Sequence, residues 1–135
     1  MTGISERPLD VDALLASVDD PAAGAVATFA GVVRNHDHGR AVTAIEYLAH
    51  PGAEQVLAEL LDEFRARDGV HALAAQHRVG SLVVGDVALY VAVATSHRAL
   101  AFTTIAEFVD EAKARLPIWK KQYLADGSHE WSECP

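Results

Sequence analysis

The 135-residue chain has a mass of 14.4 kDa, which at ~100–200 residues per domain makes one domain over 1–135 and leaves no room for a second core. Half of the residues are hydrophobic and 22% are charged, which excludes a disordered chain, and no apolar run approaches the ~20 residues of a membrane span. Eleven basic residues against nineteen acidic ones leave a net charge of −8, so a general affinity for nucleic acid or for an anionic membrane is excluded and any anion must be met by a local basic site.

Residues 1–8 read as a loose arm or a short edge strand, and MTGISERPLD shows no basic-then-apolar leader pattern. Residues 9–18 form a short helix with Asp10 as candidate N-cap and Val11, Leu14, Leu15 and Val18 at helical spacing. Residues 25–33 read as a strand and residues 42–48 as a second. The polar loop RNHDHGR between them suggests that the two pair as a hairpin. Pro51 opens an amphipathic helix with an apolar stripe of Ala53, Val56, Leu57, Leu60, Leu61 and Phe64, and Asp68-Gly69 stops it. Strands follow at 70–79 and 82–84, with a turn at Gly85-Asp86.

Residues 87–95, VALYVAVAT, are nearly continuously apolar, as a central strand covered on both faces requires. A second long helix carries Ala101, Ile105, Phe108, Val109, Ala112 and Leu116, and Pro117 ends it. Residues 117–135 read as an anchored C-terminal segment that supplies site residues, with a return to a sheet edge near Trp131. The fold class is α+β: a mixed, mainly antiparallel sheet with two long helices packed on it.

The chemistry must come from a site, because this architecture serves many functions. The sequence has no Gly-rich phosphate loop and no GxSxG elbow. Its single cysteine, Cys134, excludes an intramolecular disulfide, fits a reducing cytoplasm, and sits too near the chain end to be held as a nucleophile. His36 and His38 flank Asp37 in a loop, two alternating side chains without a third metal ligand at fixed spacing, and read as solvated. His77-Arg78 reads as a structural pair with a salt bridge. His97-Arg98 opens the second long helix, where backbone N–H groups attract anions and Arg binds phosphate bidentately; the alternative is that Ser96 caps the helix and the pair is surface.

The lysines are the sharpest signal. There are three, Lys113, Lys120 and Lys121, all within nine residues, while the eight arginines are spread along the chain. Lys113 and Lys120 are seven apart, about two helical turns, with Pro117 bending the segment between them. With Lys120 and Lys121 pointing inward they would form an anion pocket with Lys113, which Arg34 could join, and crowding of like charges would make one lysine usable as an acid or base.

The blocks FAGVVRNH, HRVGSLVVGD, VAVATSHRALAF and KARLPIWKKQYLADGSHEW, colinear from about residue 8 to residue 131, resemble the large, catalytic subunit family of molybdopterin synthase. The resemblance implies an α/β hammerhead fold and a sulfurtransferase of molybdenum cofactor biosynthesis. Its substrate would be cyclic pyranopterin monophosphate, converted to the molybdopterin dithiolene. The sulfur would arrive on a small ubiquitin-like sulfur-carrier subunit whose C-terminal Gly-Gly carries a thiocarboxylate. Two copies of the chain would pair at the centre of a heterotetramer in the cytoplasm, and neither metal nor organic cofactor would be consumed. Position by position, the resemblance implies Lys113 and Lys120 as catalytic residues, and Arg34, Val32, Val33, His97, Arg98, Lys121 and Gln122 as substrate-binding residues. The family often carries an acidic residue where Gln122 stands, and some relatives have a longer tail than this chain.

Two other readings fit parts of the pattern. A non-catalytic module that receives a ubiquitin-like tail explains a groove but not the lysines beside a His-Arg pair. A phosphoesterase would use a metal held by His36, His38 and His97.

Overall fold

The structure is a computed structural model and describes residues 3–133, Glu133 by its backbone alone; Cys134 lies outside the described residues. In chain order the elements are β1 (Ile4–Ser5), α1 (Val11–Ala16), β2 (Ala25–Val32), β3 (His36–Asp37), β4 (Arg40–Ala49), α2 (Ala53–Arg65), β5 (Val70–Arg78), β6 (Gly80–Val83), β7 (Val87–Thr95), α3 (Arg98–Arg115), β8 (Ile118–Leu124) and β9 (His129–Glu133). The α+β class follows directly, with the strands divided between two sheets.

The first sheet runs β1-β5-β7-β2. Its inner strand β7 is antiparallel to both neighbours, and β1 joins β5 in parallel. From Ala88 to Thr95 every residue of β7 is buried, because α1 covers one face of the sheet while α2 and α3 cover the other. The apolar run of 87–95 is thus the doubly covered strand that its composition demands. Asp10 caps α1 as expected, its carboxylate accepting from Ala13 N at 3.0 Å.

The second sheet runs β3-β4-β8-β9, with β6 on the other side of β4. The expected hairpin between 25–33 and 42–48 does not form: β2 pairs with β7, and β4 pairs with β6 and β8. The intervening loop closes its own tight hairpin instead, β3 against the start of β4, with His38 (φ 49°) and Gly39 (φ 78°) turning the chain. The turn directs β4 away from β2, and each strand finds its partner later in the chain.

The segment after Pro117 is strand rather than an irregular tail. Ile118, Gln122 and Leu124 are buried and Lys120 is half-buried beside them, while Trp119 is exposed. This two-residue period is a strand's, hidden in the sequence by adjacent lysines that fall on opposite faces. Val79 alone separates β5 in the first sheet from β6 in the second.

One main core joins the two sheets through α2 and α3. On α2 the buried residues are Ala53, Leu57, Leu60, Leu61 and Phe64, an i, i+4, i+7 stripe. On α3 they are Ala101, Thr104, Phe108, Val109 and Ala112; Thr104 takes a core position expected of Ile105, which is half-buried. The Phe64 and Phe108 rings meet edge to face at 5.3 Å, an arrangement worth ~1 kcal/mol beyond the area it buries.

Candidate functional site

The site grows from three local features. At the end of β2 the register against β7 shifts between Gly31 and Val32. Gly31 pairs with Leu89 and Val32 with Val87, so Ala88 of β7 is passed over, an irregularity that increases the local twist where β2 ends. Val33 is then pinned by two backbone bonds, its N–H to Asp86 O at 2.9 Å and its carbonyl accepting from Gly85 N at 2.8 Å, and Arg34 projects beyond it. Lys113 stands in the last turn of α3, where the helix dipole favours a cation. The joint of Leu116 and Pro117 is fixed by Leu116 N–H to Ala112 O and His50 N–H to Pro117 O, both at 2.9 Å. It delivers β8 in the register that sets Lys120 opposite Tyr47 and Gln122 opposite Ile45.

These elements enclose a cleft of about 350 Å³ whose wall includes Val32, Val33, Arg34, Lys113, Lys120 and Gln122. Six of the nine residues singled out from the sequence therefore meet in one place. A second, narrower cavity of about 90 Å³ adjoins it, lined by small and apolar residues that include Gly31, Ala88, Leu89 and Ala112. Val32, Tyr47 and Lys113 belong to both walls, so Lys113 stands where the narrow apolar cavity meets the wide cationic one.

The other three residues lie elsewhere. Lys121 points to the opposite face of β8, with its Nζ 5.1 Å from the Tyr123 ring and 5.4 Å from the Trp131 ring, the geometry of cation–π contacts. Strand alternation prevents it from sharing the cleft with Lys120. His97 and Arg98 are exposed at the far end of α3. Ser96 does not cap this helix: His97 occupies the N-cap position without a side-chain cap bond. The Ser96 hydroxyl instead meets His71 Nε2 at 2.7 Å, and the Thr95 hydroxyl donates to His97 O at 2.7 Å. The junction is thereby held while the His97 and Arg98 side chains face outward.

Two residues not singled out as site residues take part. Asp37 lines the cleft and accepts from Gln122 Nε2 at 2.8 Å and from Arg34 at 3.4 Å. The Gln122 bond, with Lys120, Arg34 and His38 nearby, holds its carboxyl below the usual range. In the sequence it is one acidic residue between two loop histidines, and its partner lies 85 positions away, so no spacing reveals it. His77 lines the narrow cavity. Burial pushes its imidazole down to about 4, and the charge of Lys113 adds to the effect, against the backbone bond to Arg78. Its Nδ1 lies 2.7 Å from Arg78 O and must carry the hydrogen there. Arg78 makes the structural salt bridge expected of that pair, to Asp86 at 3.3 Å.

Among the described residues no group of three His, Cys, Asp or Glu side chains is placed to hold a metal ion. The set His36, His38 and His97 is not such a group, and the phosphoesterase reading loses its centre.

Comparison with known proteins gives one answer. Residues 4–115 match the family described as MoaE protein. The molybdopterin synthase catalytic subunit of Nostoc sp. is 37% identical over 130 residues, covering 95% of this chain and 79% of that protein. Its counterpart from Thermoplasma volcanium is 35% identical over 129 residues, covering 95% and 94%. The crystal structure of molybdopterin synthase from Staphylococcus aureus superposes with a TM-score of 0.89 at 30% identity, covering 97% of this chain and 96% of that one.

Proposed function

The chain belongs to the MoaE protein family, and from that premise we propose that it is the catalytic subunit of a molybdopterin synthase, a sulfurtransferase that builds the dithiolene of molybdopterin on cyclic pyranopterin monophosphate. Sulfur arrives as the C-terminal thiocarboxylate of a small ubiquitin-like protein. The observation that carries this reading is the junction at Lys113 of a narrow cavity walled by Gly31, Ala88 and Ala112 with a cleft bearing Arg34 and Lys120. An extended Gly-Gly tail needs the first, and a phosphorylated pterin needs the second. A cationic cleft in a protein of net charge −8 is also what localised binding of a phosphate requires.

The thiocarboxylate sulfur attacks a pterin carbon and displaces the oxygen that carbon carries, which leaves as the phosphate oxygen when the cyclic ester opens or, after protonation, as water; the product is a thioester between partner and substrate. Water then cleaves the acyl C–S bond of that thioester, leaving sulfur on the pterin and a carboxylate on the partner. Negative charge develops on the acyl oxygen in this second step. Lys113, at the junction, stabilises that charge or transfers the proton, a contribution of roughly 3–4 kcal/mol for one well-placed donor. Lys120 and Arg34 hold the phosphate, and Val32, Val33 and Gln122 line the pterin's berth. No protein nucleophile is needed, because the nucleophile comes with the partner.

His97 and Arg98 join this site from a second copy of the chain. Arg98, Phe102, Ala106, Val109 and Lys113 fall along one side of α3 at helical spacing, and Phe102 is 66% exposed. Two α3 helices crossing antiparallel near Ala106 would set each copy's Arg98 toward the other's Lys113. The assembly is then a dimer of this single domain with one small subunit at each end, in the cytoplasm. No helix of the described residues is long and apolar enough to cross a membrane.

Incubating the chain with a thiocarboxylated Gly-Gly partner and cyclic pyranopterin monophosphate tests the reading. Dithiolene product is expected. Partner binding without product would make the chain an adaptor and overturn it.

A further inference from the structure

We infer that Asp37 is a positioning residue of the cleft: it turns the Gln122 amide so that the oxygen, not the nitrogen, is left to meet an N–H of a bound heterocycle, and it holds Arg34 at the cleft's edge. The inference rests on the functional reading above and adds the atom by which the cleft selects its substrate.

A carboxylate offers only acceptors, so the amide atom 2.8 Å from Asp37 Oδ2 is the Gln122 nitrogen, donating. An amide with its nitrogen committed presents its carbonyl oxygen elsewhere. Gln122 is 4% exposed and sits in the cleft wall opposite Ile45, so it has little freedom to turn over. The second Asp37 oxygen, Oδ1, takes Arg34 at 3.4 Å, and the His38 ring is 3.7 Å from the same atom. Lys120, from β8, lines the same cleft, and its charge acts on Asp37. The tight hairpin places all this: Asp37 pairs with Arg40 in register, and His38 and Gly39 make the turn.

A cleft built only to bind phosphate is better without a carboxylate, because Asp37 offsets one of the cations gathered there. Its presence is explained by orientation. It fixes Arg34 and Gln122, and its bond to the latter spans 85 positions of sequence. Together the two side chains give an edge with one acceptor and one cation. Such an edge fits a heterocycle carrying N–H donors and an anionic group.

The test compares the wild type with Asp37→Asn, Gln122→Glu and the double variant in the sulfur-transfer assay with excess thiocarboxylated partner. Asp37→Asn removes the enforced orientation, whereas Gln122→Glu keeps an outward oxygen but faces two carboxylates at each other, and their repulsion moves that oxygen out of place. KM for the pterin is expected to rise about tenfold in each, with kcat within about threefold of wild type; the melting temperature is unchanged in Asp37→Asn and falls in Gln122→Glu, where a carboxylate is buried against another. In the double variant the amide introduced at position 37 donates to the carboxylate introduced at position 122. This exchange replaces the repulsion by a hydrogen bond, returns the outward oxygen to its place and brings KM back to within about threefold of wild type. An unchanged KM in Asp37→Asn, a double variant no better than Gln122→Glu, or rate losses that follow melting temperature would each overturn the inference while the functional reading stands. A wild type that forms no dithiolene would overturn both.

Discussion

Arg98 and Lys113 stand at opposite ends of α3, fifteen positions and roughly 22 Å apart at 1.5 Å per residue. Arg98 does not line the cleft that Lys113 lines, so within one chain the two do not meet in that site. If two copies exchange these ends, an Arg98→Ala copy and a Lys113→Ala copy mixed in one dimer rebuild one complete site. Each variant alone is expected to be impaired, and the mixed dimer to recover up to half of wild-type activity per dimer. Recovery no greater than the average of the two parents would show that the site is not shared.

Lys113→Ala should leave the fold intact, because the side chain is exposed and lies on the cleft wall rather than in the core. Loss of roughly 3–4 kcal/mol of charge stabilisation corresponds to a rate lower by about two to three orders of magnitude. Single-turnover sulfur transfer measures it, with circular dichroism confirming the fold. Turnover within tenfold of wild type would remove Lys113 from the chemistry.

His77 gives the fold a pH dependence. Its folded value of about 4 lies below the ordinary 6.5, so the unfolded chain binds the proton more readily. Stability is unaffected above pH ~6.5, declines as pH falls from there towards 4, and the full loss, about 3 kcal/mol, is reached below that. Denaturant midpoints measured from pH 7.5 to 4 should show this decline, and His77→Phe should flatten it. An equal slope in both proteins would assign the decline to other groups.

Thr104 is fully buried on α3, and its hydroxyl has no hydrogen-bond partner among the described residues. Thr104→Val keeps the shape and removes the unsatisfied group, so unfolding should cost about 1 kcal/mol more. Chemical denaturation reads it directly. A destabilised variant would mean that the hydroxyl is satisfied in solution.

Legibility in the sequence followed the range of the interaction. Helices and the buried strand β7 were readable because their signals are local: the stripe from Ala53 to Phe64, the run VALYVAVAT, and the Asp10 cap. Strand pairing was not. β2 and β4 are neighbours in sequence, yet β2 pairs with residues 87–95 and β4 with residues 80–83 and 118–124, choices decided by tertiary packing. β8 was missed because Lys120 and Lys121 hide its alternation. The cluster of Arg34, Lys113, Lys120 and Gln122 was visible through residue type and family resemblance. That Lys121 leaves it depends on strand parity, and that His97 and Arg98 leave it depends on the length of α3. Asp37 entered only once the turn at His38 and Gly39 had brought it to Gln122.

Two residues, Leu116 and Pro117, connect the helix that carries Lys113 to the strand that carries Lys120, and both are tied down by backbone bonds. The joint has no slack. Inserting a single residue there would turn β8 over, delivering Lys121 and its aromatic neighbours inward and sending Lys120 out to solvent. Loops elsewhere on the surface can lengthen or shorten with little penalty, but this stretch must keep its length for the chain to remain an enzyme.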